Sequence, residues 1–177
     1  MTEGQLVAIT AIGADRPGIV AGVTEVLYDL GCNLEDATST ILRGHFSMVL
    51  IVRAPTDKGP ATLEARLSDV AERLELVITA RHVDETRVEI VAPTHMVSVY
   101  GSDRPGLVFR VAELVARAGG NITDLESRVI GPEDSPVYAL MLEVAIDEAT
   151  DLSPELERLK AELGVDVSVH RVDADVF

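Results

Sequence analysis

The sequence predicts an α+β protein made of two tandem copies of one βαββαβ unit, each with an antiparallel sheet. The first observation is an internal repeat, because the segment Gly13–Val20 recurs as Gly101–Val108, 88 residues later. The second is that the repeat extends over the chain: the same shift relates Gly31 to Gly119, Asn33 to Asn121 and Asp36 to Asp124, and a shift of 89 relates Leu74 to Leu163. The third is that strand-type and helix-type patterns follow one another in the same order in both copies.

The first copy begins with an apolar run, Leu6 to Ile12, that predicts a buried strand ending at Gly13. Pro17 is expected in the first turn of the following helix, where a missing N–H costs nothing. The apolar stripe of that helix starts at Ile19, and Gly31 is its expected stop. The remaining predicted elements are strands at about Asn33–Leu42 and Phe46–Val52, a turn at Arg43-Gly44, a helix from Leu63 to Leu74 and a strand from Leu76 to Val83.

The second copy repeats this order with one longer hairpin loop, 131–136, which contains Gly and two Pro residues. Its predicted elements are a strand at His95–Tyr100, a helix from Leu107 to Ala118, strands at Asn121–Ile130 and Val137–Ile146, a helix starting at Ser153-Pro154, and a strand over Val165–Val169. Two right-handed crossovers onto one antiparallel sheet predict a ferredoxin-like arrangement with both helices on one face. We therefore expect a first domain at 1–84, a partly strand-like linker at 85–93 and a second domain at 94–177.

Charge and cysteine content restrict the partners and the location of the protein. It carries 30 acidic and 15 basic residues, a formal net charge of −15. Such a surface repels phosphate groups, so we expect no direct binding to nucleic acid or membranes. Cys32 is the single cysteine, and the start of the chain lacks the pattern of a signal peptide. We expect a cytoplasmic protein without a membrane span.

Residues for catalysis or metal binding do not form a recognisable pattern. The histidines, His45, His82, His95 and His170, show no metal-ligand spacing to one another or to Cys32. The thiol of Cys32 has no base positioned beside it that the sequence reveals. We therefore expect no enzymatic activity, no metal and no cofactor.

In each copy a strand is followed by Asp-Arg-Pro-Gly-[Ile/Leu]-Val, a helix and Gly-x-Asn-[Leu/Ile]-x-Asp. This pattern resembles the ACT domain, an amino-acid-sensing regulatory module, and it covers nearly the whole chain. The tandem arrangement and the longer second hairpin loop resemble the glycine cleavage system transcriptional repressor family. The resemblance implies regulation by a small ligand, often an amino acid. Such sites lie at interfaces between paired modules, where the loop after the first strand meets the start of the second strand. The implied ligand-binding residues are Asp15, Arg16, Pro17, Gly18, Ile19, Asn33 and Leu34 in the first copy, and Asp103, Arg104, Pro105, Gly106, Leu107, Asn121 and Ile122 in the second.

Elementary chemistry is compatible with such a site. Free N–H groups at a helix N-terminus attract a carboxylate, and Gly18 permits close approach of a ligand to the backbone. Asn33 offers a donor and an acceptor, and Asp15 can hold an ammonium group. Two structural alternatives stay open: the aspartates cap the helices and shape the turns, or Asn33 relieves an unusual backbone angle after Gly31.

The sequence supports three functional hypotheses. The leading one is a regulator that binds an amino acid and acts through a protein partner, controlling transcription of glycine or amino-acid metabolism indirectly. The alternative is a ligand-independent assembly module, because open sheet edges can pair. The third hypothesis is an enzyme, because formyltetrahydrofolate deformylase starts with a similar module. Since the two copies account for the sequence, we expect no counterpart of its catalytic domain. We expect a homodimer or higher oligomer, with pairing of modules either within one chain or between chains.

Overall fold

The computed structural model of the 177-residue chain describes residues 4–84, 91–147 and 149–172. The chain divides into two compact units, Met1–Arg87 (unit 1) and Val88–Phe177 (unit 2). Of the apolar residues predicted to give the linker strand-like character, Val88 and Ile90 lie outside the described residues. The third, Val91, is exposed and belongs to no strand.

Unit 1 has the predicted order β-α-β-β-α-β. Its elements are β1 (Gln5–Ala14), α1 (Ile19–Asp29), β2 (Asn33–Leu42), β3 (His45–Ala54), α2 (Pro60–Leu74) and β4 (Leu76–His82). The strands form one antiparallel sheet in the order β2-β3-β1-β4. Between β2 and β3 the chain turns through Arg43 and Gly44, which both have positive φ, 50° and 79°. This pair of angles is typical of the two-residue turns that match the twist of a hairpin.

Unit 2 repeats this topology. Its elements are β5 (His95–Gly101), α3 (Leu107–Arg117), β6 (Asn121–Ile130), β7 (Val137–Ala145), α4 (Ser153–Leu163) and β8 (Asp166–Arg171). The antiparallel sheet has the order β6-β7-β5-β8. The predicted loop 131–136 connects β6 to β7 and is exposed throughout. The prediction of two tandem ferredoxin-like units is therefore confirmed.

Each unit has an aliphatic core between its helices and one face of its sheet. In unit 1 the buried side chains alternate along β1, where Val7, Ile9 and Ala11 are 0% exposed while Thr10 and Ile12 face outward. The sequence predicted a buried strand here; the structure fully buries one face, while the other face buries Ala8 but exposes Thr10 and Ile12. The alternation arises because the helices cover a single side of the sheet.

The two units differ in the length of their second helix. Helix α2 has 15 residues and starts at Pro60, whereas α4 has 11 residues and starts at Ser153. With the shift of 89 residues, the first turn of α2 (60–63) corresponds to residues 149–152, which form a loop in unit 2. No helix in the described part of the chain is both long and apolar enough to cross a membrane.

Candidate functional site

The turn between β1 and α1 places Asp15, Arg16, Pro17 and Gly18 at the N-terminal end of the helix. Gly18 is the N-cap residue and has φ +92°, and the equivalent Gly106 has φ +89°. Glycine is favoured here because L-residues with a side chain rarely adopt this left-handed conformation. Pro17 therefore precedes the N-cap, and the prediction that it lies in the first turn of α1 is wrong. The helical conformation begins only at the residue that follows this left-handed glycine.

The aspartates of the two turns do not cap the helices. Neither α1 nor α3 has a side-chain hydrogen bond at its N-cap, so the capping alternative for Asp15 and Asp103 is wrong. Both aspartates are exposed. Since the first backbone N–H groups of a helix have no intrahelical acceptor, the start of each helix presents donors beside an exposed carboxylate. These groups are complementary to the carboxylate and the ammonium of an amino acid.

The backbone at Gly18 and Gly106 is not crowded by other parts of the protein, which leaves room for the predicted close approach of a ligand. A Cβ atom at either of these positions would meet nothing within 4 Å. The tight positions are Gly13 and Gly101, the glycines that open the repeated segment. A Cβ on Gly13 would lie 2.6 Å from the Glu75 carbonyl oxygen, and a Cβ on Gly101 would lie 2.6 Å from Val165 Cγ1. These glycines let the end of β1 or β5 lie against the start of the last strand.

The arginines of the two turns reach the end of the second helix of their unit. Arg16 Nη1 donates a hydrogen bond to Glu75 Oε1 at 3.2 Å, and Arg104 Nη1 donates to the Leu163 carbonyl oxygen at 3.2 Å. A positive charge at the C-terminal end of a helix complements its unpaired carbonyl groups. The sequence predicted both arginines as ligand-binding residues, and in the structure each also connects its turn to the end of the second helix.

The turn of unit 1 has a second attachment. The Asp15 backbone N–H donates to the carbonyl oxygen of Gly44, at the tip of the β2–β3 hairpin, at 2.8 Å. In unit 2 the corresponding hairpin loop is longer, and Asp103 makes no equivalent backbone bond within the described residues. The turn of unit 1 therefore has one backbone hydrogen bond to its hairpin that the turn of unit 2 lacks.

Asn33 and Asn121 start the edge strands β2 and β6. Neither has a positive φ, so the alternative that Asn33 relieves an unusual backbone angle is wrong. Both are exposed, and within the described ranges neither side chain makes a hydrogen bond. A β-bulge follows each of them, between Leu34 and Asp36 in unit 1 and between Ile122 and Asp124 in unit 2. Bulges re-aim neighbouring side chains and often flank binding sites, but the sequence alone does not reveal them.

The turn and the asparagine lie at opposite ends of the sheet in each unit. Asn33 is paired with Arg53, which is also paired with Leu6 near the start of β1. Asp15 follows the other end of β1, about 30 Å away by the rise of nine residues. In unit 2 Asn121 is paired with Ala145, beyond the start of β5, while Asp103 follows its end. A site that contains both parts therefore requires a second module.

The apolar members of the predicted site are distributed unequally. Ile19 is 2% exposed and Leu107 is 3% exposed, so these side chains belong to the cores and can contribute only their backbone to a ligand. Ile122 packs partly against the core of unit 2. Leu34 is 46% exposed and is accessible on the edge strand.

Other chemistry near the site is limited. Burial raises the pKa of the Cys32 thiol, and the ammonium of Lys58 partly offsets this by lowering it. A raised thiol pKa reduces the thiolate fraction, which is the reactive form. Across the described ranges, no three His, Cys, Asp or Glu residues are grouped so as to hold a metal ion.

The ACT domain family matches residues 5–81 and 94–170, so both units are covered. This chain belongs to the ACT domain family. The match places the two turns and both asparagines inside ACT domains.

Some relatives align over nearly the whole chain. The glycine cleavage system transcriptional repressor of Escherichia coli strain K12 is 26% identical over 178 residues, which cover 98% of this chain and 93% of that protein. A phosphoserine phosphatase of Mycobacterium tuberculosis is 31% identical over 92% of this chain, but the aligned segment is 40% of the enzyme's length. Sequences similar to this tandem pair therefore occur both in a protein named as a transcriptional repressor and within a longer enzyme.

A solved structure has the same tandem fold. A protein from Galdieria sulphuraria with unknown function superposes with a TM-score of 0.79 and 25% sequence identity, covering 97% of this chain and all of that one. The family match and the repressor homologue support a regulatory, ligand-binding role.

Proposed function

We propose that this protein is a non-catalytic regulator that binds an amino acid at the β1–α1 and β5–α3 turns and acts through a protein partner. The proposal rests on the exposure of two asparagines and on their lack of hydrogen-bond partners. Asn33 and Asn121 are exposed at the starts of the edge strands and have no hydrogen-bond partner in the part of the chain that the structure describes. An amide of this kind offers both a donor and an acceptor to a zwitterionic ligand.

A paired module completes the proposed site. Every residue of β2 is exposed, and β6 is nearly as open, so both edges have unpaired backbone groups that a further strand can use. Antiparallel pairing reverses the direction of the second module, which brings its asparagine to the end where the first module has its turn. This explains why the two parts of the site lie far apart within one unit, and it supports an oligomer.

The acidic charge supports an indirect mode of regulation. With a net charge of −15, the protein repels DNA unless a partner supplies the DNA contacts. Transcription of glycine or amino-acid metabolism is the proposed target because the Escherichia coli homologue is a glycine cleavage system transcriptional repressor. Tight binding of the isolated protein to DNA in a gel-shift experiment would overturn this part of the proposal.

A thermal-shift screen of the amino acids and folates tests the ligand. An amino acid at a hundredfold excess over its dissociation constant stabilises the folded state by about 2.7 kcal/mol, which raises the melting temperature. We expect glycine or a small relative such as serine to do so. A response to folates alone, or to no compound, would contradict an amino-acid ligand.

Substitution of the asparagines tests the site. In the variant Asn33→Ala/Asn121→Ala we expect the amino-acid-dependent stabilisation to be lost, while the melting temperature without ligand changes little because both residues are exposed. Thr38→Ala, on the same exposed strand but away from the turn and the bulge, is the matched control. Unchanged ligand binding in the asparagine double variant would refute the site assignment.

The exposed edge strands specifically favour a second candidate function, a ligand-independent assembly module. In that case the oligomer forms normally, partner binding is intact, and no metabolite alters either. Measurement of oligomeric state and partner binding, with and without amino acids, separates the two functions.

A further inference from the structure

The strand β6 forms one edge of the unit 2 sheet. In the described part of the chain it pairs with β7 alone, at the end of the order β6-β7-β5-β8. All of its residues are exposed except Ile122, which is partly buried. The backbone N–H and carbonyl groups that point away from β7 can therefore pair with a further strand.

Two side chains of opposite charge lie near the middle of β6. Glu126 is paired with Met141 and Arg128 with Ala139, so both charges lie on one face of the sheet. Within the strand they form an ion pair at 3.5 Å, in which Glu126 is 50% exposed and Arg128 is 71% exposed. Because an ion pair with this exposure contributes little to stability, both side chains can turn to a partner strand at low cost.

The other face of β6 carries uncovered apolar side chains. Leu125 is 44% exposed and Val129 is 53% exposed, with Ser127 between them. On the neighbouring strand, Leu125 is paired with Leu142 and Ser127 with Leu140, and both of these leucines are 0% exposed. The apolar face of the sheet therefore continues to its edge, where two apolar side chains remain in contact with water.

We propose that β6 pairs with β6 of a second copy of this protein, antiparallel and about a two-fold axis at Ser127. In this register each Glu126 lies opposite Arg128 of the second copy, and each Leu125 lies opposite its Val129. Every pair occurs twice because a two-fold interface is isologous. Cross-strand pairs of opposite charge and of apolar side chains both stabilise a sheet.

The neighbouring registers fail on both faces of the sheet. A two-fold antiparallel pair joins like faces, so the strands can slip only in steps of two residues. A slip in one direction places Glu126 opposite Glu126 and Leu125 opposite Ser127. A slip in the other direction places Arg128 opposite Arg128 and Val129 opposite Ser127. Charge and apolar contacts thus select the same register.

The equivalent strand of unit 1 does not have this charge pattern. By the shift of 88, Thr38 and Thr40 of β2 occupy the places of Glu126 and Arg128. A β2 strand in the same register would place uncharged threonines opposite the two charges of β6. Charge complementarity therefore favours β6 of a second copy over β2 as the occupant of this edge.

The pairing identifies the module that completes the proposed amino-acid site of unit 2, and in that respect it rests on the proposed function. In this register Asn121 lies beside the hairpin loop 131–136 of the second copy. That loop is at the end of the sheet where the β5–α3 turn lies, since Gly101 is paired with Tyr138 just after the loop. Self-association is measured without an amino acid, so a failure to bind amino acids leaves the result of this experiment unaffected.

The test is the dimer dissociation constant of the full chain, measured by analytical ultracentrifugation without amino acids. We expect the wild type to form dimers. Glu126→Arg and Arg128→Glu each replace two opposite-charge pairs by two like-charge pairs, and each should weaken dimerisation by about thirtyfold. The double variant Glu126→Arg/Arg128→Glu exchanges the charges and restores both pairs, so it should dimerise like the wild type.

A mixture of the two single variants provides the most specific result. In a heterodimer both arginines of Glu126→Arg lie opposite both glutamates of Arg128→Glu, so the mixture should dimerise more tightly than either variant alone. An effect of net charge alone would differ, because Glu126→Arg makes this acidic chain less negative and would then strengthen dimerisation. Circular dichroism of each variant verifies that it is folded.

Thr38→Arg is the matched control, since it adds a positive charge at the equivalent position of β2 and should leave dimerisation unchanged. If Thr38→Arg weakens dimerisation as much as Glu126→Arg does, β2 occupies the edge and the proposal is wrong. It is equally wrong if the wild type is a monomer, or if mixing the two single variants does not tighten their association.

Discussion

Arg104 Nη1 donates a hydrogen bond to the carbonyl oxygen of Leu163, the last residue of α4, at 3.2 Å. The two residues are 59 positions apart, as are Arg16 and Glu75 in unit 1. Both arginines thus connect the turn at the start of one helix to the end of the other. The acceptor differs because Glu75 offers a carboxylate, whereas Gly164, its counterpart in unit 2, has no side chain.

We predict that Arg16→Ala and Arg104→Ala each lower the free energy of unfolding by about 0.5–1 kcal/mol, as expected for an exposed ion pair at Arg16 and an exposed charged hydrogen bond at Arg104. Urea denaturation measures the change. Arg66→Ala is the control, because this exposed arginine of α2 has no ion pair within the described residues. Equal effects at Arg16 and Arg66 would show that the contact across the unit contributes nothing.

Glu75 has φ 53°, a left-handed conformation that is unfavourable for a residue with a side chain. Glu75→Gly should remove about 1 kcal/mol of backbone strain and lose the weaker ion pair with Arg16, so a small net stabilisation is expected. Glu75→Ala keeps the strain and loses the ion pair, and should therefore destabilise unit 1. Urea midpoints of both variants, in the native and the Arg16→Ala background, separate the two effects. A Glu75→Gly variant less stable than Glu75→Ala would contradict the strain argument.

The two glycines of the unit 1 turn should respond differently to alanine. Gly18→Ala introduces a side chain at φ +92° in open space, and should cost about 1–2 kcal/mol. Gly13→Ala places Cβ 2.6 Å from a backbone carbonyl, which forces β1 or β4 to move, and should cost more than Gly18→Ala. Thermal denaturation of the two variants ranks them, and the reverse order would show that the sheet yields easily at Gly13.

In unit 2 a second substitution should relieve a similar clash. A Cβ on Gly101 would lie 2.6 Å from Val165 Cγ1, and this obstacle is a side chain rather than backbone. Gly101→Ala should therefore be destabilising, and Val165→Ala in the same chain should recover part of the loss. The measurement compares the change in melting temperature of the double variant with the sum of the changes of the two single variants. If the two changes are strictly additive, the added Cβ and the Val165 side chain do not clash.

Cys32 should react slowly with iodoacetamide in the folded protein. Burial raises the pKa of its thiol, so at about pH 8 less thiolate is present than in the unfolded chain. Lys58→Met removes the ammonium that lowers this pKa, and should move the rate–pH profile to still higher pH. Lys160→Met, in unit 2, should leave the profile unchanged. A faster reaction of Lys58→Met would show that the lost bond from Lys58 to the Leu30 carbonyl opens the site instead.

The sequence by itself determined the duplication, the order of elements and the boundaries of most strands and helices. It could do so because periodic apolar residues and glycine or proline at the turns are local signals. Arg43-Gly44, for example, was predicted as a turn, and both residues adopt the positive φ angles of such a turn. The resemblance to ACT domains rested on the same local motifs and proved correct.

Only the tertiary structure shows which residues of the repeated motif make contacts within their unit and which remain exposed. Arg16 and Arg104 contact groups 59 residues away, Gly13 rather than Gly18 is the tight position, and Asn33 lies about 30 Å from Asp15. Such relationships depend on the pairing and packing of elements that are distant in the sequence, which no local pattern encodes. For the same reason the sequence showed His95 only as a histidine in a strand, whereas the structure buries it.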